Sequence, residues 1–517
     1  MIPPSALGLS AAKFPRWRKD QPEAITAISQ APTKYVGIVA PTGFGKSLMI
    51  LGHALKTRER TCILTSTKAL SDQYLSDFAD HILDIRGQSN YDCEIALVSV
   101  ADAPCHGGFR CELRDSGCYH FDLKRAAATA PLVSTNYQFW LHSMKETVGL
   151  GLFDRVILDE SHNVLGELSK FLSTRISSRE SRTHLSSSPG KDWVTWASGQ
   201  NMWLTSRLAA VKKSKLPKAE RYREIAAIRA LKRKLGLLAR ADSDGWIMSE
   251  GGYRGEWNWE CIHPGRYASK LLFQRAEKFL LTSASIRPRT FQDLYISPAK
   301  ITFREYPSTF PISRRPIYYY GAIAYSAEST EHEINYLVAM MDQWIGARLD
   351  RKGIIHSVSY ERAGMFKRLS KHGHLMIVHG KDEISGAVAA FKRAKAPRIL
   401  VSPSITEGHS FAYRDAEYVI VPKIPFADTR TEIHRARVKT DRTYGMLETA
   451  VAVRQMFGRA MRAEDDQCEG LILDKQFEWL HRSFRRLFPP DFNESIKHLR
   501  YLPASPPRLV APKISGK

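Results

Sequence analysis

Residues 40–47, Ala-Pro-Thr-Gly-Phe-Gly-Lys-Ser, follow the apolar run 36–39 and precede a helical stretch that begins at Leu48. Gly43 and Gly45 allow the backbone to curl so that amide N–H groups and a helix N-terminus face phosphate oxygens. Lys46 is suited to neutralise β/γ-phosphates, Ser47 to ligate Mg²⁺, and Thr42 to contact nucleotide in the same Walker A-type loop. The order strand, glycine loop, helix separates this pattern from a chance glycine turn with a surface lysine. A second carboxylate site is expected to complete the metal chemistry. Asp159 and Glu160 end the apolar run 156–158, with Asp159 for Mg²⁺ and Glu160 to polarise an attacking water. Alone, an Asp-Glu pair after a strand is an ordinary solvated strand end; beside a phosphate loop it is a hydrolytic centre.

Four of the seven cysteines, Cys93, Cys105, Cys111 and Cys118, are clustered, whereas Cys62, Cys261 and Cys468 are scattered. The cluster points to metal ligation rather than disulfides in an intracellular chain. Its spacing, C-x11-C-x5-C-x6-C, lacks the paired C-x2-C knuckles common around zinc, and thiolates serve zinc and iron–sulfur centres alike. His106 and His120 beside the cysteines read as bystanders, although His106 is able to replace a cysteine.

These residues need a frame. At 517 residues the chain is about three times the size of a usual domain, so two or more cores are expected. Lys and Arg total 76 against 53 Asp and Glu, a net charge of +23, which favours a polyanionic partner. No run approaches the ~18 apolar residues of a membrane span and no leader pattern opens the chain. A soluble, cytoplasmic protein without membrane contact is therefore expected.

Short β-branched runs at 35–39, 61–65, 132–134 and 155–158 alternate with helical stretches in the rhythm of a parallel α/β sheet. From about residue 203 to 240 the pattern turns helical and basic, with Arg207, Lys212, Lys213, Lys215, Arg223 and Arg233 among many cations. The α/β rhythm resumes at 279–282 and continues through 353–357, 398–402, 418–421 and 470–473, so a second α/β domain fills the C-terminal part. The Pro-rich basic tail, 503–517, reads as disordered.

Asp159, Glu160, Ser161 and His162 resemble the DEAH box of superfamily 2 helicases, with serine in place of alanine. The family's other motifs can be read in order. Residues 14–21, ending in Gln21, resemble the Q motif, which implies that Gln21 hydrogen-bonds adenine. Residues 65–70 resemble motif Ia, a contact to the nucleic-acid backbone, and residues 281–285 resemble motif III. Residues 406–411, with Glu407, resemble motif V, although His409 and Ser410 depart from the usual aliphatic-aspartate pair. Residues 455–462 resemble motif VI, which implies that Gln455, Arg459 and Arg462 reach the γ-phosphate from the second domain. The arginines would act as fingers and make the cleft between domains close on ATP.

The cysteine interval, with residues 87–93 before it and Asn136 and Tyr137 after it, resembles that of XPD/DinG-type helicases. The resemblance implies a [4Fe-4S] cluster on the four cysteines, with zinc as the alternative, and a helical arch after the DEAH box. It implies an architecture of two RecA-like parallel-sheet motor domains. The first would be split into 1–87, 126–164 and 256–300, interrupted by a four-cysteine domain (88–125) and a basic arch-like insertion (165–255); the second would span 301–502. The function implied is an ATP- and Mg²⁺-dependent DNA helicase, monomeric, moving 5′→3′ on single-stranded DNA and opening tailed or forked duplexes. Basic residues of the insertion would track phosphates with strong salt dependence, and aromatics such as Tyr137, Trp140, Trp193, Trp196 and Trp203 are candidates to stack on bases or, more ordinarily, to fill cores. The competing reading is an ATP-gated clamp that hydrolyses without unwinding; an RNA helicase is a third.

Overall fold

The computed structural model describes residues 2–41, 43–107, 110–144, 149–403, 411, 413–458, 461 and 466–502. In chain order the strands of the first half are β1 (Tyr35–Val39), β2 (Thr61–Thr65), β3 (Leu83–Asp84), β4 (Leu132–Asn136) and β5 (Phe153–Asp159), then β6 (Thr174–Ile176), β7 (Trp246–Glu250) and β8 (Trp257–Cys261), then β9 (Ala276–Ser283) and β10 (Ile301–Glu305). The second half adds β11 (Ile317–Ile323), β12 (Lys352–His356), β13 (Met376–Ile377), β14 (Arg398–Ser402), β15 (Tyr418–Val421), β16 (Glu469–Asp474) and β17 (Ile496–His498).

Two seven-stranded sheets result, ordered β10-β1-β9-β5-β2-β4-β3 and β13-β14-β12-β15-β16-β11-β17, and every pairing within them is parallel. A parallel sheet is covered on both faces, so its central strands are apolar throughout rather than alternating. β1 and β2 are buried along their whole length. Successive residues still serve opposite faces: Tyr35 and Val39 enter one core and Val36 and Ile38 the other, while Ile354 and Ile355 divide likewise in the second sheet. This is the expected pair of RecA-like layers.

The expected domain boundary at residue 300 needs correction. β10 pairs with β1 in register, Tyr35 opposite Ile301 and Val39 opposite Glu305, so the first sheet runs on to residue 305 and the second begins at β11. The insertion also differs from a purely helical arch. It holds two long helices, Trp193–Lys213 and Lys218–Leu238, together with a three-stranded antiparallel sheet ordered β6-β8-β7. The tryptophans of β7 and β8 explain this. Trp246 and Trp259 are buried with Trp193, Leu204 and Leu231 in a core of the insertion's own, which a helix pair alone would leave half open. β8 ends at Cys261, so the insertion extends past residue 255. No helix among the described residues is long and apolar enough to cross a membrane. The tail, 503–517, lies outside the described residues.

Candidate active site and nucleic-acid path

In open α/β sheets ligands bind beyond the carboxyl ends of the strands. Here β1, β9 and β5 are neighbours, with Val39 opposite Ser283 and Thr282 opposite Asp159. Their ends therefore deliver the phosphate loop, the Ser283–Ser285 stretch and the Asp159–Glu160 pair side by side.

The phosphate loop leads into α2 (Lys46–Thr57), which follows α1 (Gln21–Gln30) in the chain. Gly43 and Gly45 both have φ near +80° (82° and 80°), a region that side chains other than glycine rarely adopt. Both are also crowded: an added Cβ would lie 2.0 Å from the Phe310 ring at Gly43 and 2.5 Å from Gln21 Nε2 at Gly45. Gln21 is fully buried. Its amide donates to the carbonyls of Phe44 (2.8 Å) and Gly45 (3.0 Å), and its carbonyl accepts from the Arg18 N–H at 2.8 Å. Its amide is thus engaged by the loop backbone, so Gln21 braces the phosphate loop. Arg18 joins it by donating to the Gly43 carbonyl.

The Lys46 ammonium lies 3.4 Å from Glu160 Oε1, so the loop lysine is held by the carboxylate it is expected to share with a γ-phosphate. Glu160 adopts a left-handed backbone conformation, φ 46°, a strained state for this residue type that is common at functional positions. Asp159 is buried. Its Oδ1 accepts the Glu160 N–H (2.9 Å) and its Oδ2 accepts the Tyr74 hydroxyl (2.8 Å). Burial, then the neighbouring Glu160 charge, pushes the Asp159 carboxyl above the usual carboxylate range, and Lys46 opposes this. A divalent cation relieves such a buried anion. Ser47 lies at the start of α2, the second residue of that helix. One hydroxyl and one carboxylate completed by substrate phosphates is a donor set that suits Mg²⁺.

Across the cleft, the helix Met446–Gly458 of the second domain joins this centre. Gln455 Nε2 lies 2.8 Å from His162 Nε2, His162 Nδ1 lies 2.7 Å from Ser283 Oγ, and Ser283 donates to Glu160 Oε2 at 3.3 Å. With the imidazole proton on Nδ1, these bonds form one directed relay from the second domain to Glu160. Arg454, one residue before Gln455, donates to the Ala284 carbonyl at 2.8 Å, and burial pulls its guanidinium down to about 10. Thr42, Glu407, Arg459 and Arg462 lie outside the described residues. His162 and Ser283 lie within the DEAH-like and motif III-like stretches but have no role of their own in the motif series, Arg454 immediately precedes the motif VI-like residues 455–462, and Tyr74 carries no local signal.

The cysteines occupy short turns. Cys93 sits in a tight loop closed by its N–H to the Val98 carbonyl (2.6 Å), Cys105 in the turn Pro104–Gly107, Cys111 before the turn Glu112–Arg114, and Cys118 caps the helix Tyr119–Ala127. All four are half-buried free thiols. Burial raises the Cys105 thiol, and the charges of Cys111 and Cys93 act in the same direction. Among the described residues no three His, Cys, Asp or Glu side chains converge tightly enough for a single metal ion. Of the described residues from 88 to 118 only Val100 and Ala103 are buried. A segment with so little core gains stability from a cross-link of another kind, and four thiols are chemically able to supply one. His106 has no described side chain; His120 is buried.

Between this segment, the first motor sheet and the insertion lies a cavity of ≈ 760 Å³ bordered by Lys68, Lys124, Lys170, Asn90, Asn136 and Gln138. Of the candidate stacking aromatics, Tyr137, Trp140 and Trp193 are core residues. Trp196 is stacked on Trp259 with centroids 6.0 Å apart, and only Trp203 is exposed, with Arg207 over its ring. Some of the insertion's cations are used internally, Arg207 by Glu224 and Lys234 by Glu180, whereas Lys212, Lys213, Lys215, Arg223, Arg233 and Arg240 are exposed. The insertion also touches the second domain. Arg437, on the helix Glu432–Thr440, donates to the carbonyls of Cys261 (2.8 Å) and Ile262 (3.2 Å) and to Ser169 Oγ (2.8 Å).

Comparison with known proteins agrees with this geometry. Residues 352–495 match the family described as helicase C-terminal domain, and residues 14–178 match the res subunit of type III restriction enzymes. Among solved structures, an XPD helicase is similar over 93% of this chain and 98% of its own, at 15% identity and TM-score 0.62. Xpd4 of S. tokodaii is similar over 93% and 100%, at 12% identity and TM-score 0.59. Two RecA-like layers, a phosphate loop facing a second-domain helix and these two family matches make the chain an ATP-dependent helicase. Its fold over nearly the whole chain is that of the XPD helicases.

Proposed function

We propose that this helicase translocates on single-stranded DNA, 5′→3′ as its XPD/DinG-like character implies, and couples ATP hydrolysis to strand separation. The observation that carries the reading is the cavity bordered by Lys68, Lys124 and Lys170, since its volume of ≈ 760 Å³ is at the scale of a ligand site. It begins at Ser66 and Lys68, beside the motor sheet, so a strand lying in it meets the ammonium groups of Lys68, Lys124 and Lys170 along its phosphates, while the one carboxylate among the described residues of its wall, Glu167, is engaged by the Gln138 amide at 2.5 Å.

In the catalytic cycle, Lys46 leaves Glu160 for the β/γ-phosphates of ATP, and Glu160 is freed to polarise the attacking water. Ser47 and Asp159 would hold Mg²⁺, which would neutralise phosphate charge. Thr42 and the loop amides cradle the phosphates, and Glu407 contributes from motif V. Gln455, Arg459 and Arg462 approach from the second domain, and the His162–Ser283 relay reports their arrival to Glu160. Hydrolysis removes the phosphate that they grip, and the cleft reopens.

Strand-displacement assays on 5′- and 3′-tailed duplexes test this. Displacement from the 5′-tailed substrate alone, abolished by Lys46→Ala, is expected. Hydrolysis without displacement from either tail would instead support the ATP-gated clamp, and preference for RNA tails an RNA helicase.

The four cysteines, in this reading, hold a [4Fe-4S] cluster that holds the segment 88–118 in shape. Protein purified without oxygen is expected to contain iron and show a broad visible absorption band, and Cys111→Ser to lose both. Stoichiometric zinc without that band would identify a zinc site in its place.

A further inference from the structure

Tyr74 lies in α3 (Lys68–Phe78), the helix that continues from the motif Ia-like residues 65–70, and it is fully buried. A buried phenol needs a hydrogen-bond partner, and main-chain carbonyls commonly serve; Tyr137, equally buried, uses the Asp159 carbonyl at 2.9 Å. Tyr74 instead donates to Asp159 Oδ2, and with the Glu160 N–H on Oδ1 both carboxylate oxygens are fixed. The carboxylate can then turn only if α3 moves.

The start of α3 is tied to the strand-facing surface. Thr67 caps it by accepting the Leu70 N–H at 3.2 Å, and the hydroxyls of Ser71 and Thr65 meet at 2.7 Å. Ser66 and Lys68 border the cavity. Lys68 and Tyr74 are six residue steps apart on the helix, about 9 Å of stiff rod. We propose that Tyr74 is a positioning residue that orients the Asp159 carboxylate toward Mg²⁺ and links that orientation to strand engagement at the start of α3. The proposal rests on the reading of Ser47 and Asp159 as the Mg²⁺-holding pair.

The test is binding of a fluorescent ATP analogue titrated with Mg²⁺, with and without an oligothymidylate strand. Wild type is compared with Tyr74→Phe, Tyr137→Phe and Ser71→Ala, and each variant's melting is recorded. Tyr74→Phe is expected to need about tenfold more Mg²⁺ for half-maximal binding, the effect of removing a partner that orients a metal ligand, and to lose the tightening that the strand produces in wild type. Tyr137→Phe, which removes a hydroxyl from the same residue's main chain, keeps the wild-type Mg²⁺ requirement and strand response. Ser71→Ala leaves the phenol in place, keeps the Mg²⁺ requirement and weakens the strand response. An unchanged requirement in Tyr74→Phe, or an equal shift in both tyrosine variants, overturns the assignment of Tyr74. A full strand response in Ser71→Ala overturns the link through α3. Nucleotide binding by wild type that ignores Mg²⁺ would overturn the Ser47–Asp159 reading itself, and the proposal with it.

Discussion

Glutamine in place of Glu160 is expected to slow ATP hydrolysis by roughly 10²–10⁴-fold, the range for loss of a positioned general base, while nucleotide binding is retained. The amide keeps the size of the carboxylate and can still accept from Ser283, which lies 3.3 Å from Oε2. What it lacks is the charge that orients and polarises a water. It also lacks the charge that holds Lys46 at 3.4 Å, so affinity for ATP should stay level or rise. Phosphate release at saturating nucleotide, alongside nucleotide affinity, separates the two effects. Hydrolysis within a few fold of wild type would remove Glu160 from the water-activating role.

The second large effect concerns stability. Glu469 opens β16 with no exposed surface, and Arg348, also fully buried, grips its carboxylate with both ends of the guanidinium fork at 2.9 Å; Arg351 adds a third contact at 2.8 Å. Arg348 in turn lies flat on Trp344, 3.4 Å from the ring centroid. Alanine at 469 leaves two guanidinium groups without their shared anion in a low-dielectric site, and breaking a buried pair in this way costs about 3–5 kcal/mol. Denaturant unfolding should show the loss in the second motor domain, with the first domain's transition unmoved. A loss below about 1 kcal/mol would mean that water reaches the cluster.

Much of the fold is legible because it is local. β1, β2 and β15 are unbroken apolar runs bounded by polar turns, the pattern that burial on both faces demands, and the phosphate loop and the Asp159–Glu160 pair sit where such runs stop. β3 and β13 have two residues each and carry no pattern. β10 sits past a proline-led turn, and its place is set by β1, at the far end of the domain. The same distinction governs the site. Tyr74 meets Asp159 across 85 positions, Arg454 meets Ala284 across 170 and Gln455 meets His162 across 293, distances over which periodicity says nothing. Gln21 shows the limit within a motif: the local pattern marks the residue as part of nucleotide handling, but only the packed loop reveals that its amide serves backbone carbonyls. The basic stretch likewise predicts charge correctly without saying which cations are already satisfied by Glu180 and Glu224.

Arg437 ties the motor's two moving parts into one kinematic linkage. Its guanidinium belongs to the second domain, yet three of its hydrogen bonds end on the insertion, at Ser169, Cys261 and Ile262. A rotation of the second domain that preserves those bonds must swing the insertion with it, and one that leaves the insertion behind must shear all three at once. In the proposed cycle, the position of the insertion and the opening of the nucleotide cleft are therefore coupled for as long as these three bonds hold.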